Sequence, residues 1–243
     1  MARWNTLACT AEVDDIKKSA ADFIKVMRDD EGKYVQTVIS NYNIPNFEGV
    51  ISPMNSVAIE GVPFTGTEIV SVVTGLTAGA TIVDSNTGRV IAGADRIIPP
   101  MTNSEIIDAI NQGYIVFSAN MNGDIKIDQD INTYRTFTPE KNKNFRKNRI
   151  IRTLDEIGTT LENTWETMYL GRVNNDENGR SLFRGDCISY FNSLMAIGAI
   201  QEFNADTDVV VRQGEDLDAV IAEYWIMPVD SMEKLYGTVN VKG

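Results

Sequence analysis

The stretch GDIKIDQDINTYRTFTPEKNKNFRKNRIIRTLDEI, residues 123–157, decides how this chain is organised. It begins as a strand of alternating apolar and polar residues, passes through a polar segment after a Thr-Pro pair, and continues as an amphipathic helix. The Asn-Gly pair at residues 122–123 favours a tight type I′ turn between this strand and YIVFSANM, residues 114–121. The stretch therefore predicts a β-hairpin that closes one domain, a boundary at residue 138, and a helix that opens a second domain.

Upstream of this stretch, strand-like runs alternate with helical patterns. Residues 4–11 and 34–39 have the composition of buried strands, and a helix that begins at Asp14 or Asp15 lies between them. Alternating strands and helices are typical of an α/β domain with a largely parallel sheet, so we assign residues 1–138 to such a domain. The apolar face predicted for the first helix consists of Ile16, Ala20, Phe23, Ile24 and Met27.

Residues 139–243 have a different pattern, in which two long helices are followed by short strands. The helices are predicted at residues 144–170 and 181–198. Two helices against a small sheet predict an α+β domain. The strands are predicted at residues 208–212, 219–227 and 236–241.

A cluster of basic side chains marks the start of the first of these two helices. No acidic residue occurs among residues 141–152, although the chain as a whole has a net charge of −12. A positive patch on an acidic protein favours a negatively charged partner. We therefore select this cluster as a candidate intersubunit contact, made of Lys141, Lys143, Arg146, Lys147, Arg149 and Arg152.

Three interpretations of the basic cluster remain open: a solvated start of a helix, a nucleic-acid-binding patch, and an electrostatic contact with another protein. The acidic net charge and the lack of aromatic residues other than Phe145 argue against nucleic acid. The nearest acidic protein is a second copy of the same chain. Its residues 206–223 contain several acids, namely Asp206, Asp208, Glu215, Asp216, Asp218 and Glu223.

The composition of the chain restricts its chemistry. At 243 residues, with 43% apolar and 23% charged residues, it has the size and composition of a globular protein of one or two domains. The sequence contains no histidine, which excludes Ser-His-Asp and Cys-His catalysis and HExxH zinc sites. Its two cysteines, Cys9 and Cys187, lie in apolar surroundings and are predicted to be buried free thiols.

No cofactor or metal site is expected. NNDENG, residues 174–179, resembles part of a calcium-binding loop, but Gly185 stands where such a loop requires a bidentate glutamate. A polar turn between helices is the better interpretation. No glycine-rich phosphate-binding loop precedes a helix. No apolar run approaches the about 18 residues of a membrane span, and the N-terminus lacks a hydrophobic signal core.

The chain resembles, block by block and in the same order, the contractile phage tail sheath family. The family includes the sheaths of tail-like bacteriocins and of defective prophages. The resemblance covers nearly the whole chain, and the order of the blocks is more specific than any single block. The blocks are WNTLACT (4–10), YVQTVISNYN (34–43), GVISPMNSV (49–57), LTAGATIVDSNTGRVI (76–91), PPMTNSEIIDAINQGYIVFSA (99–119), IKIDQDINTYRTFT (125–138), FRKNRIIRTLDEI (145–157), YLGRVNN (169–175) and PVDSMEKLYGTVNV (228–241).

This resemblance implies a fold and a function. The middle domain of such sheaths has a subtilisin-like α/β fold without protease activity, so we expect residues 1–138 to be the C-terminal part of such a domain. Sheath subunits stack as rings around an inner tail tube and contract to drive that tube into a target cell. Full-length members carry more sequence on the N-terminal side, so the chain alone is expected to be a fragment that is monomeric or weakly associating.

The resemblance also implies a role for the C-terminal end. Arms at both chain ends of such subunits add strands to the sheets of neighbouring subunits. LYGTVNVKG, residues 235–243, has the alternating pattern that strand addition requires, although an edge strand paired within its own domain is the alternative. The candidate arm strand consists of Leu235, Tyr236, Thr238, Val239, Asn240 and Val241.

The residues and the resemblance together predict a structural subunit of a contractile tail sheath, assembled in the bacterial host cytoplasm and carried by a virion tail or a released tail-like particle. The expected partners are other copies of the chain, the inner tail tube protein and the baseplate. Nucleic acid binding, cofactors and direct membrane insertion are not expected. Two alternatives from other classes are an inactive or carboxylate-dependent α/β hydrolase-like enzyme, and a monomeric adaptor that binds one basic partner.

Overall fold

Strands and helices alternate through the first part of the chain, and two long helices dominate the second. The computed structural model describes residues 4–241, so the outer ends of the two predicted domains, residues 1–3 and 242–243, lie outside the described residues. The helices are α1 (Asp14–Asp29), α2 (Glu68–Gly79), α3 (Asn103–Asn111), α4 (Asn148–Thr164) and α5 (Glu177–Ala196). The strands are β1 (Thr6–Cys9), β2 (Gln36–Ile39), β3 (Val50–Ile51), β4 (Ser56–Ile59), β5 (Val62–Phe64), β6 (Ala94–Ile98), β7 (Phe117–Ala119), β8 (Ile125–Ile127), β9 (Ile200–Gln201), β10 (Val209–Gln213), β11 (Val220–Tyr224) and β12 (Met227–Pro228).

The first three strands form a parallel sheet in the order β1-β2-β3, with Thr6 of β1 opposite Gln36 of β2. α1 packs on this sheet, and the core between them contains Ile24, Ile39 and Val50. The two predicted strands and the helix between them are therefore present, and their parallel pairing follows from the helical crossover.

The buried face of α1 differs from the predicted one. Ala21 and Ile24 are buried, whereas Ile16 and Phe23 are 54% and 46% exposed. Phe23 instead stacks on Trp4 at the surface, with ring centroids 6.4 Å apart. Apolar residues cover more than one stripe of this helix, so periodicity alone could not determine which stripe faces the sheet.

The remaining strands of the first part form small antiparallel sheets. β4 lies between β5 and β6, and β7 pairs with β8. Their core is continuous with the parallel sheet through Val38 and Ile51. The buried residues of this core also include Val57, Val70, Phe117, Ile127 and Ile131.

The predicted β7–β8 hairpin is present, but its turn is longer than the predicted two residues. Ala119 pairs with Ile125, so residues 120–124 form the loop. The side-chain oxygen of Asn120 accepts hydrogen bonds from two backbone N–H groups of the loop, each 2.9 Å away. Gly123 has a φ of +88°, a conformation that suits glycine. Asn120 therefore organises a wider turn than the Asn-Gly pair would form alone.

The helix predicted at residues 144–170 is interrupted at both ends. A 3-10 turn over Lys143–Arg146 precedes α4, and a π-helical turn over Trp165–Tyr169 follows it. The helix itself begins only at Asn148, because the C-cap of the 3-10 turn, Lys147, is extended, with φ −87° and ψ 120°. The basic cluster therefore extends over a turn, a bend and the first residues of α4.

α5 buries the face that its sequence predicts. Phe183, Cys187, Phe191 and Leu194 are all buried there, while Met195 is 39% exposed. Two small antiparallel sheets complete this part of the chain, one formed by β10 and β11 and the other by β9 and β12. The first of them packs on α5.

Both cysteines are buried free thiols, as predicted. Cys9 ends β1 beneath α1, and Cys187 lies at the centre of α5 with no exposed surface. Burial raises the pKa of the Cys187 thiol. Both thiols therefore pack as small apolar side chains.

The subtilisin-like fold predicted for residues 1–138 is wrong. Each sheet within residues 4–241 has two or three strands, and no strand there is longer than five residues. Parallel pairing is confined to the β1-β2-β3 sheet and an isolated bridge between Pro53 and Ile115. The chain is a small mixed α/β protein, since turns interrupt its apolar runs before a large parallel sheet can form.

A buried ion pair joins the two parts of the chain. The guanidinium of Arg28 donates to both carboxylate oxygens of Asp155, at 2.8 and 2.7 Å, and the two side chains are 8% and 15% exposed. Arg28 also lies over the ring of Tyr34, 5.9 Å from its centroid. Gly158 makes room for this ring, since a Cβ there would lie 2.4 Å from a ring carbon. α4 therefore packs directly on the connection between α1 and β2.

Candidate functional site

The predicted contact surface, residues 141–152, is called the basic segment below. Its first cation, Lys141, donates to the carboxylate of Glu48 at 2.6 Å. The side chain of Glu48 is 7% exposed and belongs to the loop between β2 and β3. Lys141 therefore neutralises an acid that is nearly a hundred residues away in sequence and is almost buried.

Arg152 contacts a fully buried carboxylate. Its guanidinium donates to Asp130 at 2.9 Å and to the carbonyl of Asp84 at 2.8 Å. Asp130, with 1% of its side chain exposed, also accepts from the amide group of Asn148 at 2.8 Å and the N–H of Asn86 at 3.0 Å. These contacts satisfy the Asp130 carboxylate in the interior.

Lys147 and Arg149 contact the end of the same chain. The ammonium group of Lys147 bonds to the carboxylate of Glu233 and lies 3.8 Å from that of Asp230. The guanidinium of Arg149 donates to the hydroxyl of Ser231 at 2.7 Å. These two cations therefore hold residues 230–233 against the start of α4.

Lys143 and Arg146 are the two predicted contact residues without a side-chain partner among residues 4–241. Lys143 is exposed. Two nitrogens of the Arg146 guanidinium, Nε and Nη2, are buried and have no hydrogen-bond acceptor within the described chain. Burial, and then the charge of nearby Arg135, lower the pKa of the Arg146 guanidinium. Of the six predicted contact residues, four are thus engaged inside the chain and these two remain available.

The chain beyond Glu233 contrasts with the residues before it. Residues 234–241, called the terminal tail below, form no helix or strand and are all exposed. Leu235, Tyr236, Val239 and Val241 are each 89–95% exposed. The tail makes no hydrogen bond or ion pair with another described residue, and none of the described strands pairs with it.

The small sheets of the C-terminal part have unpaired edges. β10 and β11 pair only with each other, and so do β9 and β12, among the strands of residues 4–241. Each of these strands therefore has one edge where no described strand accepts its backbone hydrogen bonds. The neighbouring Trp225 and Met227 are 54% and 48% exposed.

The acids proposed as counterparts of the basic segment lie around the β10–β11 hairpin. Glu223 lies 3.5 Å from Arg212, and Asp208 accepts from the N–H of Asn204 at 2.8 Å. The other four are exposed, and their carboxylates have no partner among the described residues. They are Asp206, Glu215, Asp216 and Asp218.

Sequence reasoning missed the acids that neutralise the basic segment inside the chain. Glu48, Asp130 and Glu233 lie in a loop, after a strand and near the C-terminus, and no local pattern marks them as buried. The composition of the basic segment gave one weak indication of these distant acids. Because the basic segment has no acid of its own, its counter-charges had to come from distant parts of the sequence or from another molecule.

The described residues offer no metal site. No group of three or more Cys, Asp or Glu side chains within residues 4–241 is arranged to hold a metal ion. In the same part of the chain, none of the helices combines the length and apolarity needed to cross a bilayer. The features that remain as a candidate site are therefore the two available cations, the unpaired sheet edges and the terminal tail.

Comparison with known families matches almost the whole chain in two consecutive blocks. Residues 2–133 match the phage tail sheath protein central domain. Residues 140–242 match the phage tail sheath C-terminal domain. The two matches follow the order of the blocks identified in the sequence.

Individual relatives agree with these matches. The phage-like element PBSX protein XkdK of Bacillus subtilis (strain 168) is 31% identical over 95% of the chain and 51% of its own length. The crystal structure of the sheath tail protein of Desulfitobacterium hafniense is 39% identical, with a TM-score of 0.89 over 98% of the chain and 56% of that protein. The mixed α/β architecture is therefore that of a sheath protein, which replaces the subtilisin-like expectation.

A more distant solved structure shares the fold alone. The helical sheath of the anti-feeding prophage in its contracted state superposes with a TM-score of 0.73 at 13% identity, over 97% of the chain and 69% of that protein. The chain spans about half the length of the curated relatives it matches.

Proposed function

Because the chain belongs to the phage tail sheath family, we propose that it forms part of a structural subunit that assembles around a tail tube and contracts. Two of the relatives it matches are named as tail sheath or sheath tail proteins, and the hydrolase alternative finds no support among them. The observation that carries the proposal is the terminal tail, whose alternating residues are exposed and have no partner within residues 4–241.

In the proposed assembly, the terminal tail adds a strand to a sheet of a neighbouring subunit. The unpaired edges of the β10–β11 sheet, whose strands have five residues each, supply a suitable acceptor, since strand addition needs free backbone N–H and C=O groups. Each hydrogen bond formed contributes about 0.5–1.5 kcal/mol, so a strand of six residues gives a firm but reversible link. A flexible link of this kind can persist while the bodies of the subunits rotate and slide.

A second proposed contact uses the two available cations. Lys143 is exposed, and neither Lys143 nor Arg146 has a side-chain partner among residues 4–241, so these two charges are left for a carboxylate of another molecule, at Arg146 through Nη1, which is not among its buried nitrogens. The unpaired acids Glu215, Asp216 and Asp218 of a second copy are one source, and an acidic tail tube surface is another. An exposed ion pair contributes only about 0–1 kcal/mol, so this contact acts through its repetition over many subunits.

The remaining partners follow from the same proposal. The inner tail tube protein and the baseplate would contact the assembled sheath, and neither nucleic acid nor membrane insertion is involved. Assembly would take place in the cytoplasm of the bacterial host. The net charge of −12 favours protein surfaces over nucleic acid as partners.

Negative-stain electron microscopy of the subunit, expressed from its complete coding region, tests the proposal. We expect hollow tubes with a regular axial repeat, and their loss when residues 234–241 are deleted. Substitution of Lys25, an exposed cation of α1 without a described partner, by Met serves as the control that keeps the tubes. Dispersed small particles at every salt and protein concentration would contradict the proposal and favour the adaptor alternative.

A further inference from the structure

At the C-terminal end of the described chain, side-chain burial changes abruptly after Glu233. The side chain of Glu233 is 5% exposed, whereas Lys234 and all later described residues are exposed. Met232, just before it, is also fully exposed. The acidic side chain of Glu233 therefore points inward between two exposed neighbours, Met232 and Lys234.

Glu233 is bound by three donors from two parts of the chain. One carboxylate oxygen accepts from the hydroxyl of Thr87 at 2.7 Å and from that of Ser85 at 3.4 Å. The other oxygen bonds to the ammonium group of Lys147. Hydrogen bonds to charged groups are stronger than those between neutral groups, and burial strengthens them further.

The residues before Glu233 add further anchors. The N–H of Val229 donates to the carbonyl of Ala199 at 3.0 Å, and Arg149 donates to Ser231 at 2.7 Å. Lys147 also lies near Asp230, 3.8 Å away. Among the described residues, every hydrogen bond and ion pair that holds the C-terminal end therefore lies at or before Glu233.

We infer that Glu233 is a positioning residue, a latch that determines where the terminal tail leaves the body of the protein. This inference rests on the proposed function, because the latch matters to assembly only if the tail contacts a neighbouring subunit. Side chains along a strand alternate between the two faces of a sheet, so a shift of one residue turns every side chain to the wrong face. A tail that leaves the body at a fixed residue reaches the neighbour's sheet in a defined register. A tail released at Pro228 or earlier would have at least five more residues of free chain.

Glu233 also determines which residues of the body bear a mechanical force that is applied to the terminal tail. Thr87 and Ser85 lie in the loop after α2, within the part matched by the central domain model, and Lys147 lies at the start of α4 in the other part. The hydroxyl of Thr87 further accepts from the N–H of Asp130, the acid that binds Arg152. Glu233 therefore couples the tail to both parts of the chain at once, through groups that are themselves anchored.

Hydrogen exchange followed by mass spectrometry tests the latch on the chain alone. In Glu233→Gln, the hydrogen-bonded amides within residues 229–233, those of Val229 and Ser231, should exchange about tenfold faster than in the unaltered chain, since one charge-assisted anchor is lost. Peptides from α5 should exchange at unaltered rates. Glu215→Gln is the matched control, because Glu215 is exposed and its carboxylate has no described partner. Equal rates for residues 229–233 in the variant and the control would overturn the inference.

Spin labels measure the exit of the tail directly. Both native cysteines are buried, so a nitroxide attaches selectively to cysteines introduced at two exposed positions, Met121→Cys and Leu235→Cys. Electron resonance should give a narrow distance distribution between them, which broadens in the Glu233→Gln background and stays narrow with Glu215→Gln. A purely stabilising role without positioning would leave the distribution narrow, and that outcome contradicts the latch.

A second substitution covers the case in which Glu233→Gln does not fold. Ser231→Ala removes only the Arg149 contact and should accelerate exchange in the same peptide by a smaller factor; no acceleration would count against the latch. These measurements use the isolated chain. Their failure would leave the sheath proposal intact, whereas a lack of tubes in electron microscopy would leave the latch as a local contact without an assembly role.

Discussion

The basic segment and the terminal tail differ in whether their side chains contact other residues of the same chain. The basic segment, residues 141–152, has the composition of a surface patch, yet four of its six cations bond to groups of the same chain. The terminal tail, residues 234–241, has the alternating pattern of a paired strand, yet it is exposed and unpaired in the described structure. The clustered charge thus serves mainly to hold the molecule together, whereas the strand-like segment has no partner strand within residues 4–241.

The difference has a physical cause. Cations can be neutralised by acids from anywhere in the chain, because an ion pair needs only proximity and removal from water. A strand needs a free sheet edge of suitable length and direction, and the terminal tail finds none among the described strands of its own chain. Local charge density therefore indicates a need for counter-charges and says little about which molecule supplies them.

The largest loss of stability is expected from removing the acid that neutralises Arg152. Asp130→Ala leaves a guanidinium and the amide of Asn148 buried without their acceptor, and breaking a buried pair in this way costs about 3–5 kcal/mol. Urea denaturation measures this loss. Asp216→Ala removes an exposed acid and should leave the midpoint unaltered. Equal midpoints for the two variants would mean that the basic segment is not neutralised internally.

A smaller loss is expected at the ion pair between α1 and α4. Arg28→Met keeps the packing of the side-chain stem but leaves Asp155 without its two donors, for a loss of about 2–3 kcal/mol in the free energy of unfolding. Lys25→Met is the matched control, an exposed cation on the same helix. If Arg28→Met unfolded at the same urea concentration as Lys25→Met, the join between the two parts would not depend on this pair.

The glycine beside this ion pair should give an effect of intermediate size. In Gly158→Ala the new Cβ meets the ring of Tyr34, and we expect a net loss of about 1 kcal/mol although alanine favours helix. Gly185→Ala, in α5 with open space around it, should instead stabilise the chain by about 0.5–1 kcal/mol. The midpoint temperatures of thermal denaturation of the two variants test this difference. If both midpoints moved in the same direction, the close approach of Tyr34 to Gly158 would be contradicted.

The smallest effect on stability is expected from the terminal tail. Deletion of residues 234–241 removes no described hydrogen bond or ion pair, so the denaturation midpoint of the chain should stay unaltered. The same deletion should abolish tubes in the assembly experiment. A lowered midpoint would reveal contacts of the tail within its own chain and would remove its contrast with the basic segment.

The sequence predicts the fold well where a helix has a single apolar face and where paired strands are close in sequence. The face of α5 that contains Phe183 and Phe191 follows from helical periodicity, and the pairing of β7 with β8 follows from two strands close in sequence. α1 shows the limit, because its apolar residues cover two stripes and the sheet selects the one with Ile24. The subtilisin-like expectation came from the family resemblance, and the short strands of this chain do not bear it out.

The candidate site was less predictable than the fold. The six cations were identified as a group, but their division into engaged and available residues depends on Glu48, Asp130 and Glu233, which lie far from them in sequence. Arg146 and Lys147 are neighbours with the same charge, and only the three-dimensional structure separates them. The terminal tail was identified from its alternating residues, since an unpaired strand keeps the pattern of a paired one.

The burial of both thiols has a consequence for the proposed sheath. A surface cysteine would be repeated in every copy of a lattice, and oxygen outside the cell could join neighbours by disulfides that block their movement. Cys9 in β1 and Cys187 in α5 are both buried in the hydrophobic core, so oxidants reach them readily only when the fold opens. Assemblies of this chain should therefore keep separable subunits during long storage in air.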